Sequence, residues 1–256
     1  GTSDLGANVT TTGTQTYTGA VVLGSNVVLT TTNSAVSFGG AVTGSGYNLT
    51  VSSGSGSIGL VAVGTSGARL GALVLNSSGA TTLGGAVYAA SVETDASGTG
   101  AGTIAINGGT VNTTGTQTYR EAVSLGQATT LTGTTITTGS TLNGGGYNLA
   151  VVGNADVGGA VTNVGNLSVS GTSDLGANVT TTGTQTYTGA VTISGGNRTL
   201  TGTTISTGST LNGGGYNLTV TGNADVGGAV TNVGNLSVSG TSDLGANVTT
   251  TGTQTY

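Results

Sequence analysis

GTSDLGANVTTTGTQTY occupies Gly1–Tyr17, returns at Gly171–Tyr187 and returns again at Gly240–Tyr256. Around it a longer phrase is copied almost letter for letter. STGSTLNGGGYNLTVTGNADVGGAVTNVGNLSVSG (Ser206–Gly240) repeats TTGSTLNGGGYNLAVVGNADVGGAVTNVGNLSVSG (Thr137–Gly171) at one constant offset. Near-verbatim repetition on the scale of a supersecondary unit predicts one small module stacked along an axis, a quasi-one-dimensional array. An array that opens and closes on the same word reads as a length of something longer. Such a shaft acts through length, stiffness and surface rather than through one pocket.

Inside the repeats the hydrophobic period is two. Leu49/Val51, Val61/Val63, Leu73/Leu75, Ile104/Ile106, Leu149/Val151, Leu167/Val169, Leu218/Val220 and Leu236/Val238 are apolar–polar–apolar triplets bounded by Gly, Asn or Ser. That is the pattern of short strands with one buried face, and the abundant Val and Thr favour it. No stretch carries a helical period, and Gly is too dense for helix. Pro is absent altogether, as suits a ladder that uses every backbone N–H. Gly and Asn at the strand ends tolerate the positive φ of tight corners. The expected fold is therefore all-β.

GNADVGGAV at Gly153 aligns with GTSDLGANV at Gly171, and the same pair recurs at Gly222 and Gly240. This short offset predicts a β-solenoid with coils of about 18 to 23 residues, three to each long repeat and roughly 11 to 12 in all. At about 4.8 Å per coil the rod would run on the order of 55 Å. Four coils to a repeat, each of about 17 residues, is the competing register. The tyrosines divide the array. Tyr17, Tyr119, Tyr187 and Tyr256 end the TQTY words, and Tyr47, Tyr147 and Tyr216 follow the first three of them in GYNL words at near-constant spacing. One continuous shaft segment, 1–256, is expected: a diverged unit at 1–110, near-identical units at 111–179 and 180–247, and the start of another at 248–256. TGAVTISGGNRTL (Thr188–Leu200) is one letter longer than REAVSLGQATTL (Arg120–Leu131), an insertion a corner tolerates and a two-sided strand does not.

Composition narrows the function classes. Charged residues are only 4%, Gly numbers 52, and Cys, Met, Trp, His and Lys are all missing. No disulfide framework exists, and the lack of oxidisable sulfur suits an exposed, extracellular life. A net charge of −5 without a basic patch argues against nucleic acid as a partner. No apolar run reaches transmembrane length, and no signal peptide is recognisable, as expected of a segment from a longer exported chain.

Three words carry a family signal: GTIAINGGTVNTTGTQTYREAVSLGQATTLTGTT (Gly102–Thr135), TTLGGAVYAASVETDASG (Thr81–Gly98) and TQTYTGAV (Thr184–Val191). They resemble the repeats of very large bacterial surface adhesins of the filamentous haemagglutinin type, exported by two-partner secretion. The resemblance implies a right-handed parallel β-helix shaft outside a Gram-negative-type cell. It also implies an outer-membrane export partner and roles in adhesion, aggregation or biofilm. The family's secretion domain and any receptor-binding module are missing from the sequence.

Catalysis would need carboxylates, or a nucleophile and base, converging in a cleft. Glu93 and Asp95 are the only closely spaced acids and read as turn residues, so no enzyme and no catalytic or cofactor-binding residue is expected. Asp156/Asp174 and Asp225/Asp243 share the short offset, and if that offset is one coil, each pair stacks at about 5 Å. A bridging Ca²⁺ would relieve their repulsion; hydrogen bonding of each Asp to a nearby turn is the competing reading. Thr10/Thr12/Thr14/Thr16 and Thr180/Thr182/Thr184/Thr186 suggest a flat Thr array, but intervening words break it. Asn-x-Ser/Thr triplets begin at Asn8, Asn48, Asn76, Asn112, Asn166, Asn178, Asn197, Asn217, Asn235 and Asn247, as the composition alone would produce, with glycosylation at some of them the alternative. The eight Tyr and Phe38 are expected in coil packing, with sugar-stacking platforms as the alternative.

The sequence thus points to a structural, non-catalytic extracellular shaft that associates end to end or side by side. The alternative is a binding module whose Thr/Asn-rich faces engage glycans, a cell-surface or host receptor, or neighbouring rods.

Overall fold

The computed structural model describes residues 1–96, 98 and 102–256, so Ser97 of the SVETDASG word lies outside the described residues. The described residues form short strands and no helix, and the strands pair in parallel. The chain divides into two compact units, Gly1–Thr134 and Thr135–Tyr256. Each is a parallel β-solenoid; together they make about 13 turns at about 19 residues per coil. Coils are shortest at pairs such as Leu149↔Leu167 and longest at Val92↔Gln117.

The second unit has three sides, each visible as a stack of inward residues. One stack runs Ala155–Ser173–Val191–Leu211–Val230–Val248. The next runs Leu149–Leu167–Gln185–Ile205–Ala224–Ser242. The third runs Leu142–Val161–Val179–Leu200–Val220–Val238. Alternation sends these residues into a thin core, where nearly all are buried, while their strand neighbours point to solvent.

These stacks correct the expected coil count. Ser173 and Ser242, the same letter in successive copies of the repeat, stand in different stacks. Three turns from Ser173 lead through Val191 and Leu211 to Val230, and Ser242 lies two sides further along. The repeat is therefore three and two-thirds turns, neither three nor four, and the chain makes about 13 turns rather than 11 to 12. In the first unit, by itself, Gln15 heads the stack Val36–Ile58–Thr81–Ile104–Val123, while its counterpart Gln117 ends the stack Val27–Leu49–Leu73–Val92.

The extra letter of the Thr188–Leu200 word falls in the corner between strands Val191–Ile193 and Arg198–Thr207, as expected. There Gly195 and Gly196 take φ of +66° and +145°, and the Arg198 guanidinium donates to the Ser194 and Leu175 carbonyls. Gly222 shows why many corners admit no side chain. Its φ is +133°, and a Cβ there would lie 1.9 Å from the Gly202 carbonyl oxygen of the coil below. One expected strand pair fails: Ile58/Leu60 face inward, and Val61, 46% exposed, has turned out at the corner before Val63 returns to the core.

Two polar ladders hold the coils. At the corners, Asn Oδ1 atoms accept backbone N–H groups from the next coil: Asn148 from Asn166, Asn166 from Thr184, Asn217 from Asn235, Asn235 from Thr253, at 2.8–2.9 Å. Inside, the QTY words at Gln117–Tyr119 and Gln185–Tyr187 place Gln and Tyr in the core. Tyr187 donates through its hydroxyl to Gln185 Oε1 at 2.9 Å. Gln185 Nε2 donates to the Val179 carbonyl of its own coil at 3.1 Å and to the Thr201 carbonyl of the next at 2.8 Å. Gln117 and Tyr119 repeat the arrangement with Val111 and Thr132. Both tyrosines are fully buried, and burial pushes their phenols well above the ordinary range, so they stay donors at any working pH.

Gln185→Leu keeps the volume and strands the Tyr187 hydroxyl, so a loss of about 1–3 kcal/mol in urea unfolding is expected. Adding Tyr187→Phe removes the orphan and should recover part of that loss; a double variant no better than the single would show the pair is not coupled.

Candidate functional site

The stacked aspartates stand in register. Asp156 pairs with Asp174, and Asp225 with Asp243, each pair one strand spacing apart. A hydroxyl from the coil below reaches the first member of each: Thr137 Oγ1 donates to Asp156 Oδ2 at 3.3 Å, and Ser206 Oγ to Asp225 Oδ2 at 2.8 Å. The side chains lie on the outer surface, where water screens the two charges. Because of the two-thirds turn, the pairs occupy different sides of the second unit. Each offers two carboxylates, and no group of three His, Cys, Asp or Glu side chains suited to a metal occurs among the described residues.

Glu93 and Asp95 part company. Glu93 lies on the outer face of strand Val87–Thr94 and forms an ion pair with Arg120 from the next coil. Asp95, just past the strand, takes a φ of +48° and is fully buried. Beside it the structure brings Glu121, which the sequence reading passed over as part of REAV. Glu121 is 1% exposed, and neither carboxylate oxygen has a hydrogen bond. Burial raises its pKa, and the Asp95 carboxylate adds to the rise. Against this act the Thr94 hydroxyl and Glu121's own backbone N–H, near but short of hydrogen-bond geometry, and the Arg120 charge.

The remaining candidates resolve into structure. Seven of the ten Asn-x-Ser/Thr asparagines (Asn8, Asn48, Asn166, Asn178, Asn197, Asn217 and Asn235) use Oδ1 to hold the next coil's N–H. The Thr words form no broad array: Thr180 stacks on Thr201 and Thr221, but Thr186 of the same word is flanked by Ser168 and Ser206. Tyr119 and Tyr187 pack in the core as expected, and Tyr17 stacks on Phe38 at 5.2 Å. Tyr47, Tyr147 and Tyr216 instead stand out at Gly-rich corners, 37–43% exposed. Arg69 lies 5.5 Å from the Tyr88 ring and donates to the Asn112 carbonyl, a clasp across coils. An apolar hollow lined by Leu218, Val226, Leu236, Leu244 and Tyr256 lies in the interior of the last coil, with Thr207 and Tyr256 its only polar side chains. A shallow polar groove at Asn33, Ser55, Asn76 and Ser78 has no acid or base.

No protein family, curated protein or solved structure matches the chain.

Glu121 sets a pH dependence with a definite sign. Its folded-state pKa lies above the unfolded one, so its neutral form favours folding; that contribution is complete below the ordinary carboxylate range and is lost as pH rises through the raised value. In chelator-treated buffer at neutral pH, Glu121→Gln should exceed the wild type by about 1–3 kcal/mol. The gap should close as pH falls toward about 4. Thermal melts across pH check this, and equal stability at neutral pH would refute it.

Proposed function

We propose that the chain is a structural, non-catalytic shaft of an extracellular filamentous surface protein, serving adhesion, cell aggregation or biofilm by holding other elements away from a bacterial cell. One observation carries the reading: the repeat advances three and two-thirds turns, so each copy of an outward motif faces a new direction. A surface evolved to grip a ligand repeats its contacts along one face, whereas a shaft has no preferred side. The hollow of the last coil and the shallow groove hold no acid or base, and the thin, repetitive core supports the same reading. The resemblance of the INGGTVNTTGTQTY words to filamentous haemagglutinin-type repeats supports export across an outer membrane by a dedicated partner. The backbone of each coil offers unpaired N–H and C=O groups wherever no further coil covers it, which supports association end to end, and the Thr- and Asn-rich sides support contact side by side.

The second reading, a binding module, draws on Tyr47, Tyr147 and Tyr216, whose exposed rings at glycine corners offer stacking surfaces for sugars. Tyr147 and Tyr216 are the same letter in successive repeats and so face different ways, which suits isolated contacts better than a cooperative glycan face.

On a glycan array and in a cell-adhesion assay, the isolated chain should bind nothing above background, while negative-stain images show rods or filaments. Binding that disappears in a Tyr147→Ala/Tyr216→Ala variant would replace the shaft reading with the module.

A further inference from the structure

Asn-Gly is a dipeptide that can modify itself with no reagent but water. The glycine N–H loses its proton to hydroxide, and the nitrogen attacks the asparagine Cγ. The new N–Cγ bond closes a succinimide as ammonia leaves, and water then opens the ring to aspartate or isoaspartate. Glycine permits the closure because no Cβ bars the approach. The sequence holds three such sites, Asn107–Gly108, Asn143–Gly144 and Asn212–Gly213, each followed by a second glycine. Their intrinsic reactivity is therefore alike, and a difference between them belongs to the fold.

The fold treats them unequally. In the second unit Gly144 and Gly213 are buried, and their N–H groups donate to the Thr162 and Thr231 carbonyls of the next coil at 2.8 Å. The carboxamides are clamped as well. Asn143 Oδ1 accepts the Gly145 N–H at 2.9 Å and Asn163 Nδ2 at 3.2 Å. Asn212 Oδ1 accepts the Gly214 N–H and Asn232 Nδ2 at the same distances. Ring closure at either site would break all three of its hydrogen bonds, and a buried, bonded N–H is shielded from hydroxide.

The first-unit site lacks these restraints. Gly108 is only half-buried, and its N–H shares the Leu83 carbonyl with that of Asn107, at 3.0 Å. Asn107 is exposed, and its Oδ1 lies where a Gly126 Cβ would point. The Gly126 N–H is already given to the Ile106 carbonyl. Among the described residues no hydrogen bond holds the Asn107 carboxamide.

We propose that Asn107 is a self-modifying site of the folded chain, converting to aspartate and isoaspartate, and that Asn143 and Asn212 are held unreactive by the coil stacked on them. Conversion adds a negative charge and, as isoaspartate, one extra backbone atom at the corner between strands Thr103–Ile106 and Thr110–Thr113. The first unit thus accumulates modification with time, whereas in the second the same chemistry reports only coils that have opened.

Peptide mapping tests this, and the three arginines help. Cleavage after Arg69, Arg120 and Arg198 leaves Asn107, Asn143 and Asn212 in three different peptides. The full chain is aged at mildly alkaline pH, folded or in urea, and amide-to-acid conversion is located by mass spectrometry. In urea the three sites should convert at similar rates. In the folded chain Asn143 and Asn212 should lag Asn107 by roughly tenfold or more, since reaction there waits for a coil to open. Asn163→Gly, which suits the φ of +53° and removes one clamp, should speed Asn143 and leave Asn212 unchanged. Asn107→Gln should leave its own peptide unconverted. Equal rates at the three sites in the folded chain, an Asn143 or Asn212 that converts as fast folded as unfolded, or an Asn107 that converts only in urea would each overturn the assignment.

Discussion

Everything in these two units follows from one constraint: each coil must offer its neighbour a backbone N–H and C=O at every step, one strand spacing away. Along the flat sides the parallel ladders meet this demand without help from side chains. At the corners the chain turns and the ladder opens, and N–H groups there would be left bare. The Asn Oδ1 atoms close that gap. Asn148 takes the N–H of Asn166, Asn166 that of Thr184, Asn217 that of Asn235 and Asn235 that of Thr253, so one residue type stacks on itself up a corner. Glycine is the other half of the arrangement, since at positions such as Gly222 the backbones of successive coils come too near for any Cβ. High Asn and Gly, low charge and no Pro are therefore consequences of corner geometry rather than signs of disorder.

The core obeys a second rule. A solenoid of this width has room for only a few side chains per coil, so a single large polar pair changes its character. The Gln–Tyr pair fills a coil's cross-section and returns every polar atom to a partner, tying one coil to the next through Gln185 Nε2 and the Thr201 carbonyl. An apolar column alone permits neighbouring coils to slip; a buried amide that must find one carbonyl fixes their register.

Much of this was legible in the sequence, and the exceptions have physical causes. Period-two triplets such as Leu167/Val169 and the short offset between GNADVGGAV and GTSDLGANV are local signals, and the strands and the in-register Asp156/Asp174 pair follow them. The core tyrosines were expected, but their Gln partners were hidden because Gln is ordinarily a surface residue, although TQTY itself carries the alternation that turns both inward. Val61 was misplaced because a corner resets the inward phase, and nothing in GLVAV marks where. Glu121 escaped notice since its partner Asp95 lies more than a typical coil away in sequence, and only the unusually long coil, Val92↔Gln117, brings them together. The repeat length misled most directly: a long verbatim repeat invites division into whole coils, and the molecule does not divide it that way.

That last mismatch is informative about the fold. From Ser173 to Ser242 the chain passes eleven sides, and eleven is not a multiple of three. A duplicated word therefore arrives on a side its parent never occupied, carries its copied neighbours with it, and still packs. Ser173 meets Ala155 on one side, and its copy Ser242 meets Ala224, the copy of Ala155, on another. This works only if the three sides are interchangeable, each a short strand with the same inward spacing and a corner of Gly and Asn. Interchangeable sides permit growth by a whole number of sides rather than of turns, which makes lengthening such a structure undemanding. The same freedom scatters every outward motif around the axis, so length accumulates readily and a single continuous adhesive face does not.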